Sequence, residues 1–572
     1  MVSSGHYLAA AAGYRILEEG GNAIDAGVAS GLALNVVLPH WTSIGGVAPT
    51  ILHHAQKNET VVIDGLGVWP KAATIDFFKK KAGGQIPVGV LRCVTPAAAD
   101  AWLTALRLYG TMPFEQVVTP ALELAESGFP VPHSLHQALA SGTTRGQPGA
   151  TGDEGAMNNW PSSRDIFMPR GRVPAVGDVL VQKDLANSFR RLIEIERANA
   201  SKGRETAIQA ARDYFYKGEM AQEMVRFVQD EGGLLTMEDM AAYHVKLEPP
   251  TVGSFKGVGV YTCGPWCQGP VVLQALHILE ALDLGAMGHN SADYTHVLLE
   301  ALKLAFSDRH AYYGDPDFVK VPMAGLLSKA YAKERSRQID LRRAWPEMPP
   351  AGDPWSYQEG KGARKAAAVP APLSGGLEAD TSYTCVVDRW GNAFSATPSD
   401  GFGGSPVVSG LGFIVSSRGS QSWLDPEHPS SLAPGKRPRL TPNPAMAFKD
   451  GKVWMPFGTP GGDMQCQAMV QMFLNMVEFG MDPQQAVEAP RVSAWSFPGS
   501  FWPHNYRPGL VGAEGRIAPS VVEELKRRGH TVEVWDDWSS RASDLCAIEI
   551  DRVRGILRGG ADSRRAAYAI GR

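Results

Sequence analysis

The stretch ADTSYTCVVDRWGNAFSAT, residues 379–397, holds the residue with the most to offer chemically, Thr381. A threonine hydroxyl is a poor nucleophile at neutral pH. One solution places it at a chain N-terminus, where its own α-amine takes the proton. An α-amino group titrates near neutrality, so part of it is an unprotonated acceptor without further tuning. Thr381 lies inside the chain and gains such an amine only if the peptide bond from Asp380 is cut. The plain alternative is a β-branched residue that opens a strand after a turn aspartate. The local sequence leaves both readings open.

Other catalytic patterns are missing. There is no G-x-S-x-G elbow, H-E-x-x-H pair, phosphate-binding G-x-x-x-x-G-K loop or dinucleotide glycine fingerprint opening a helix. The two carboxylates of GDPDF, 314–318, read as capping acids of a proline turn. Six cysteines in 572 residues make no disulfide framework, and the Cys263–Cys267 pair lacks a second pair at zinc spacing. They read as free thiols of a reducing compartment.

The elements that must position Thr381 follow from periodicity. Residues 7–18 read as a helix stopped by Gly20-Gly21, and 22–37 as a second helix rich in small residues that permit close packing. Strands are expected over 50–66, helix from 96 to 140, loop over 141–175, and mostly helix from 180 to 340. An amphipathic helix is expected over 293–313, and the basic run at 335–343 reads as a solvated helix face. Residues 345–378, rich in Pro, Gly, Ala and charge, read as a flexible linker ending just before Thr381. The texture beyond is β. SYTCVVD and AFSAT form a hairpin around RWGN, and further strand pairs are expected within 436–462 and 546–562. Helices separate those pairs, at QAMVQMFLNMVEFG and SVVEELKRRGH. A layered α/β fold follows.

Composition bounds the function. An apolar share of 44% and a charged share of 20% describe an ordinary globular protein with ample core. A net charge of −4 gives no electrostatic case for nucleic acid or an anionic membrane. The longest apolar run, 26–38, is too short to span a bilayer. No basic segment precedes an apolar one at the N-terminus, so a cytoplasmic protein is expected.

Several ordered stretches resemble the γ-glutamyltransferase family of N-terminal-nucleophile hydrolases. They are AAAAGYRILEEGGNAIDAGVASGLALNVVLPHWTSIGG, YGTMPFEQVVTPALELAESGFPV, FYKGEMA, GGLLTMEDMAAYHV, GDPDFVKVP, DTSYTCVVDRWGNAFSAT, PGKRPRLTPNPA, GTPGGDMQCQ and GGADSRR. The resemblance covers residues 7–568. It implies a four-layer αββα sandwich and self-cleavage between Asp380 and Thr381, giving a large fragment 1–380 and a small fragment 381–572. Thr381 would be the nucleophile of both cleavage and catalysis, with its freed amine as base. The N–H groups of Gly461 and Gly462 would hold the oxyanion. Thr397 or Ser399 would bond the Thr381 hydroxyl, and a short deletion leaves that choice open. No metal or cofactor is implied. The implied partners are a small amide or peptide-like substrate and the chain's own two fragments, with further dimerisation left open.

The departures concern substrate. Family members hold a γ-glutamyl α-carboxylate with an arginine where this chain has Leu66, and with paired serines where it has Leu440 and Thr441. They hold the α-amine with a Gln and an Asp where it has Arg418 and Gln421. A zwitterionic headgroup buried without paired charges costs several kcal/mol. An amide hydrolase or acyltransferase is therefore expected, with Arg418, Gln421, Arg439 and Thr441 facing a carboxylate placed differently. Glutathione hydrolysis or γ-glutamyl transfer is the alternative within the family, and an unprocessed binding relative is the alternative outside it.

Overall fold

Side chains alternate along Thr384–Val387, and that alternation sets the layering. Val386 joins one apolar cluster with helices, whereas Cys385 and Val387 join another with a second sheet. A strand buried on both faces needs a layer on each side. In the computed structural model, which describes residues 1–141, 160–360, 362, 369–371 and 380–572, this strand lies inside a seven-stranded sheet. From edge to edge its strands are Tyr568–Ile570, Val2–Ser4, Thr384–Val387, Ala393–Ala396, Thr50–His54, Glu59–Ile63 and Leu247–Glu248. The expected hairpin is present, with Thr384 opposite Ala396 and Val387 opposite Ala393.

The second sheet runs Ile556–Ala561, Cys546–Asp551, Lys452–Gly458, Ala445–Lys449, Val258–Thr262, Thr251–Phe255. Ile51, Tyr383, Cys385, Leu440, Met446 and Cys546 fill the space between the sheets. A polar tie crosses it: Tyr383 Oη and Ser395 Oγ lie 2.7 Å apart, and Ser395 donates to the Ala445 carbonyl at 3.0 Å. Helices Tyr7–Glu18, Ala23–Val37 and Ala98–Tyr109 cover the outer face of the first sheet; Gly269–Leu279, Ala292–Tyr312 and Met464–Val477 cover that of the second. The four-layer αββα expectation is borne out.

The small residues of Ala23–Val37 have a use. A Cβ on Gly27 would lie 2.2 Å from the Phe394 ring of the hairpin, and one on Gly31 would lie 2.7 Å from Trp102. The first turn of that helix is tied to the same hairpin, with Ala23 N–H donating to Asp388 Oδ2 at 2.9 Å.

Several expectations need correction. Ala292–Tyr312 is buried on every side from Tyr294 onward rather than amphipathic. The cause is the segment read as a linker, whose first part packs on this helix. Trp345 N–H donates to Glu300 at 3.0 Å, Gly352 N–H to Asp308 at 2.9 Å, and Tyr312 Oη to the Gly352 carbonyl at 2.7 Å. Pro354 and Trp355 are buried in a short 3₁₀ turn. The remainder of that reading, at 361, 363–368 and 372–379, lies outside the described residues. Arg335, expected in solvent, is buried against Asp308, Ser307 and the Pro350 carbonyl. Three strands, Leu247–Glu248, Thr251–Phe255 and Val258–Thr262, interrupt the stretch expected to be helical. Within 141–175, Pro161–Phe167 is helical, and 142–159 lie outside the described residues. All six cysteines are unpaired and buried.

Gly458, at the end of its strand, presses on the residue just before the strand Thr384–Val387. A Cβ there would lie 2.3 Å from the Tyr383 ring. Gly458→Ala should therefore cost about 1–3 kcal/mol through overpacking, measured by denaturant unfolding, with a fall in fragment formation on a gel.

Candidate active site

Thr381 sits three residues before the strand Thr384–Val387 begins, buried, and pairs with Ser399 across an isolated antiparallel bridge. Ser399 is gripped from its other side as well. Its N–H donates to the Val47 carbonyl at 2.9 Å, and Val47 N–H returns to Ser399 at 3.3 Å. The glycines of the TSIGG stretch permit this, since a Cβ on Gly46 would lie 2.3 Å from the Ser399 carbonyl oxygen.

The Thr381 and Ser399 hydroxyls are 2.7 Å apart. Ser399 Oγ also donates to the carbonyl oxygen of Asp380 and accepts from Arg418 Nη2. The proton directions follow from valence. A guanidinium can only donate and a carbonyl can only accept. Ser399 has one proton, which goes to Asp380. The Thr381 hydroxyl must then donate to Ser399, which leaves its lone pairs outside that bond. Of the two residues left open by the sequence, the structure joins Ser399 to Thr381. Thr397 Oγ1 is buried with no hydrogen-bond partner.

Arg418 opens the 3₁₀ turn Arg418–Gln421 and is buried. Its Nη2 donates to Asp380 Oδ1 at 2.9 Å and to the Asp380 carbonyl at 3.0 Å, and its Nε lies 3.8 Å from Asp400 Oδ2. Asp400, which the sequence reading missed, adopts φ +89° and collects Ser416 Oγ at 2.5 Å, Ser417 Oγ at 2.6 Å and Ser417 N–H at 3.0 Å. A non-glycine residue at positive φ is uncommon and marks a site held by its surroundings.

Gln421 Nε2 donates to Thr441 Oγ1 at 2.8 Å, joining two more of the expected residues. Gln268, also missed, connects them to the glycine pair. Its Nε2 donates to the carbonyls of Thr441 at 3.0 Å and Gly462 at 2.8 Å. Gly461 and Gly462 take φ +118° and +57° in the turn before helix Met464–Val477. Among the described residues no acceptor is bonded by either N–H. Two free donors ahead of a helix N-terminus suit a developing anion.

Arg439 is buried, and its only hydrogen-bonded side-chain nitrogen is Nη2, which donates to Ser500 Oγ at 3.1 Å. Ser500 leads to Asp463 at 2.6 Å, which is already paired with Arg309. Burial, and then the Arg309 charge, pushes the Arg439 guanidinium well below its ordinary range. Arginine keeps its proton in proteins, so this cation calls for an anion. Leu66, by contrast, is apolar packing. Arg437 and Leu66 line a cleft of about 250 Å³ that includes neither Thr381 nor Arg439, and Arg437 is held there by Asp64, Glu248 and Asp315 at 2.8–3.0 Å.

Among the described residues one group has metal-ligand chemistry, His296, Glu300 and His530. It is closed on itself. His296 Nδ1 meets His530 Nε2 at 2.9 Å, and Lys303 Nζ donates to Glu300 at 2.7 Å. It touches none of the residues above.

Ser399→Ala should slow formation of two fragments by at least about 10²-fold, in line with losing a preorganised donor. Thr397→Val should leave it unchanged. Gel densitometry over time reads both.

Comparison with known proteins bears on this site. A family model described as Gamma-glutamyltranspeptidase matches residues 9–571. The chain is 36% identical over 575 residues to the glutathione hydrolase-like YwrD proenzyme of Bacillus subtilis (strain 168), covering 100% of this chain and 98% of that one. The solved structure of LmbA2991HD matches with a TM-score of 0.89 at 37% identity, over 100% of this chain and 98% of that one. The cephalosporin acylase from Bacillus halodurans matches with a TM-score of 0.83 at 30% identity, over 99% of this chain and 94% of that one.

Proposed function

Because the chain belongs to the gamma-glutamyltranspeptidase family, we propose that it cleaves itself before Thr381. It then acts as a threonine-nucleophile amide hydrolase or acyltransferase on acyl groups other than γ-glutamyl. The observation that carries the reading is the Thr381 hydroxyl, fixed by Ser399 beside the Asp380 carbonyl.

In cleavage, Thr381 Oγ attacks the Asp380 carbonyl carbon and its proton leaves through Ser399. The C–N bond breaks, the Thr381 nitrogen takes a proton, and water hydrolyses the resulting ester. The fragments 1–380 and 381–572 then stay together for a topological reason. Val2–Ser4 of the large fragment lies between Thr384–Val387 and Tyr568–Ile570 of the small one. In the second sheet Val258–Thr262 pairs with Ala445–Lys449.

In turnover, the freed α-amine takes the Thr381 proton, and Oγ attacks the substrate carbonyl. Gly461 and Gly462 N–H hold the oxyanion, and the amine product leaves with a proton. Water or a second amine then releases the acyl group. The acyl preference rests on charge. Leu66 and Leu440 offer nothing to an α-carboxylate, and the neutral Gln421 stands where an acid would hold an α-ammonium, beside the cation Arg418. The buried Arg418 and Arg439 favour an acyl chain bearing a carboxylate elsewhere.

The test is covalent trapping. Rapid denaturation during turnover of amide probes, followed by mass analysis, should add one acyl group to the 381–572 fragment alone. Probes with a carboxylate-bearing acyl chain should label faster than glutathione. Label on the large fragment, or none under turnover, contradicts the proposal.

The pH profile gives a second check. The base must be neutral to work, so kcat/KM should rise with pH through the amine's pKa. An α-amine titrates near 7.7–8.0, and the nearby Arg418 cation lowers it. Burial holds His504 down at about 3 and His428 well below its usual value, so both are neutral where the amine titrates. A single inflection between about pH 6 and 8 is expected.

A further inference from the structure

Arg418 does more in the uncut chain than a substrate-binding residue needs to do. One nitrogen, Nη2, reaches the scissile carbonyl oxygen of Asp380 at 3.0 Å, the Asp380 carboxylate at 2.9 Å and Ser399 Oγ. The far side of the guanidinium is anchored away from the bond. Nε lies 3.8 Å from Asp400, and the Phe501 ring centre lies 5.3 Å from Cζ. Phe501 is itself seated, since the next residue, Trp502, donates its N–H to the Ser420 carbonyl at 2.7 Å. The cation is buried and rigidly placed before any substrate arrives.

We propose that Arg418 is the electrophile of self-cleavage. It holds the Asp380 carbonyl oxygen as that oxygen becomes an oxyanion, and it orients the Ser399 hydroxyl. The inference rests on the reading of Asp380–Thr381 as the processed bond.

The chemistry closes on the atoms present. As the Thr381 Oγ–C bond forms, the carbonyl π pair moves onto the Asp380 oxygen, where two donors already point, Ser399 Oγ–H and Arg418 Nη2–H. The Thr381 proton passes to Ser399 as Ser399 gives up its own, which is handed to the Thr381 nitrogen. The C–N bond then breaks, and the nitrogen keeps its electron pair and gains the relayed proton. The charge gained by the oxygen lies in a water-poor site, where a fixed cation is worth more than a neutral donor. Ester hydrolysis adds water across the C–Oγ bond and leaves Asp380 with two carboxylates on one arginine. Two adjacent anions repel, so the new chain end is driven from the site and Arg418 is left for a substrate.

The test uses the full-length chain in a cell-free translation, stopped and then followed on gels for first-order conversion to two fragments. Arg418→Ala should convert about 10²-fold more slowly than wild type. Added guanidinium should restore the rate at least tenfold; equal ammonium or sodium chloride should not. A purely structural arginine would not be replaced by a free guanidinium ion. An alanine variant that melts cooperatively and converts at the wild-type rate overturns the proposal, as does one that is slow and unmoved by guanidinium. If the alanine variant does not fold, Arg418→Lys decides: a tenfold slower conversion supports the role, and an unchanged rate refutes it. A wild-type chain that stays whole overturns the reading of the bond itself, a result distinct from failure of the Arg418 assignment.

Discussion

One hydroxyl, that of Ser399, has three partners and can satisfy them in one way. It gives its proton to the Asp380 carbonyl and accepts from Thr381 and Arg418. That allocation leaves the lone pairs of the Thr381 hydroxyl outside its bond to Ser399. It also sets the Arg418 cation against the Asp380 carbonyl oxygen. Neither result needs a histidine or a metal ion. The arrangement holds because Ser399 is a backbone residue first, bonded to Val47 on one side and bridged to Thr381 on the other. The side chain has little freedom to choose another role.

The sandwich serves that constraint. The strand after Thr381 is buried on both faces, so its start cannot drift without disturbing two cores. Gly458 and Tyr383 fix the second sheet against the first at this point, and the chain from Gly458 runs directly into the Gly461–Gly462 turn. Gln268 then ties that turn to Thr441, and Arg309 ties Gln268 to Asp463 at the start of the following helix. The buried charges are not decoration on this frame. Arg437 has three carboxylates, whereas among the described residues Arg439 is hydrogen-bonded by its side chain to a serine alone, an imbalance on which the proposed preference for a carboxylate-bearing acyl chain rests.

Local signals were legible in the sequence. The capped helix Ala23–Val37, the hairpin around RWGN and the small residues facing Phe394 all follow from patterns a few residues long. The rest was set by distant contacts. Residues 345–357 look like the start of a linker because they are rich in proline, yet their backbone groups bond the acidic side chains of a central helix. That helix appears two-faced in sequence because it carries Glu300, Lys303, Asp308 and Arg309, which are paired inside the protein. Ser399 could not be separated from Thr397 without the register of the bridge to Thr381. Gln268, Asp400 and Ser500 carry no motif, and only their partners reveal them. Thr381 itself was found by chemistry and then by resemblance, and the strand reading of the same residue is also true, since it leads directly into one.

The central claim is that Thr381 acquires its base by cutting the bond before it. The most direct measurement is intact mass with N-terminal sequencing on the purified protein, beside Thr381→Ala. The account predicts two chains, the smaller beginning Thr-Ser-Tyr-Thr, and a single uncut chain in the variant. A cooperatively folded wild-type protein that remains one chain would contradict it, because Thr381 would then have a partner for its hydroxyl but no amine to take its proton.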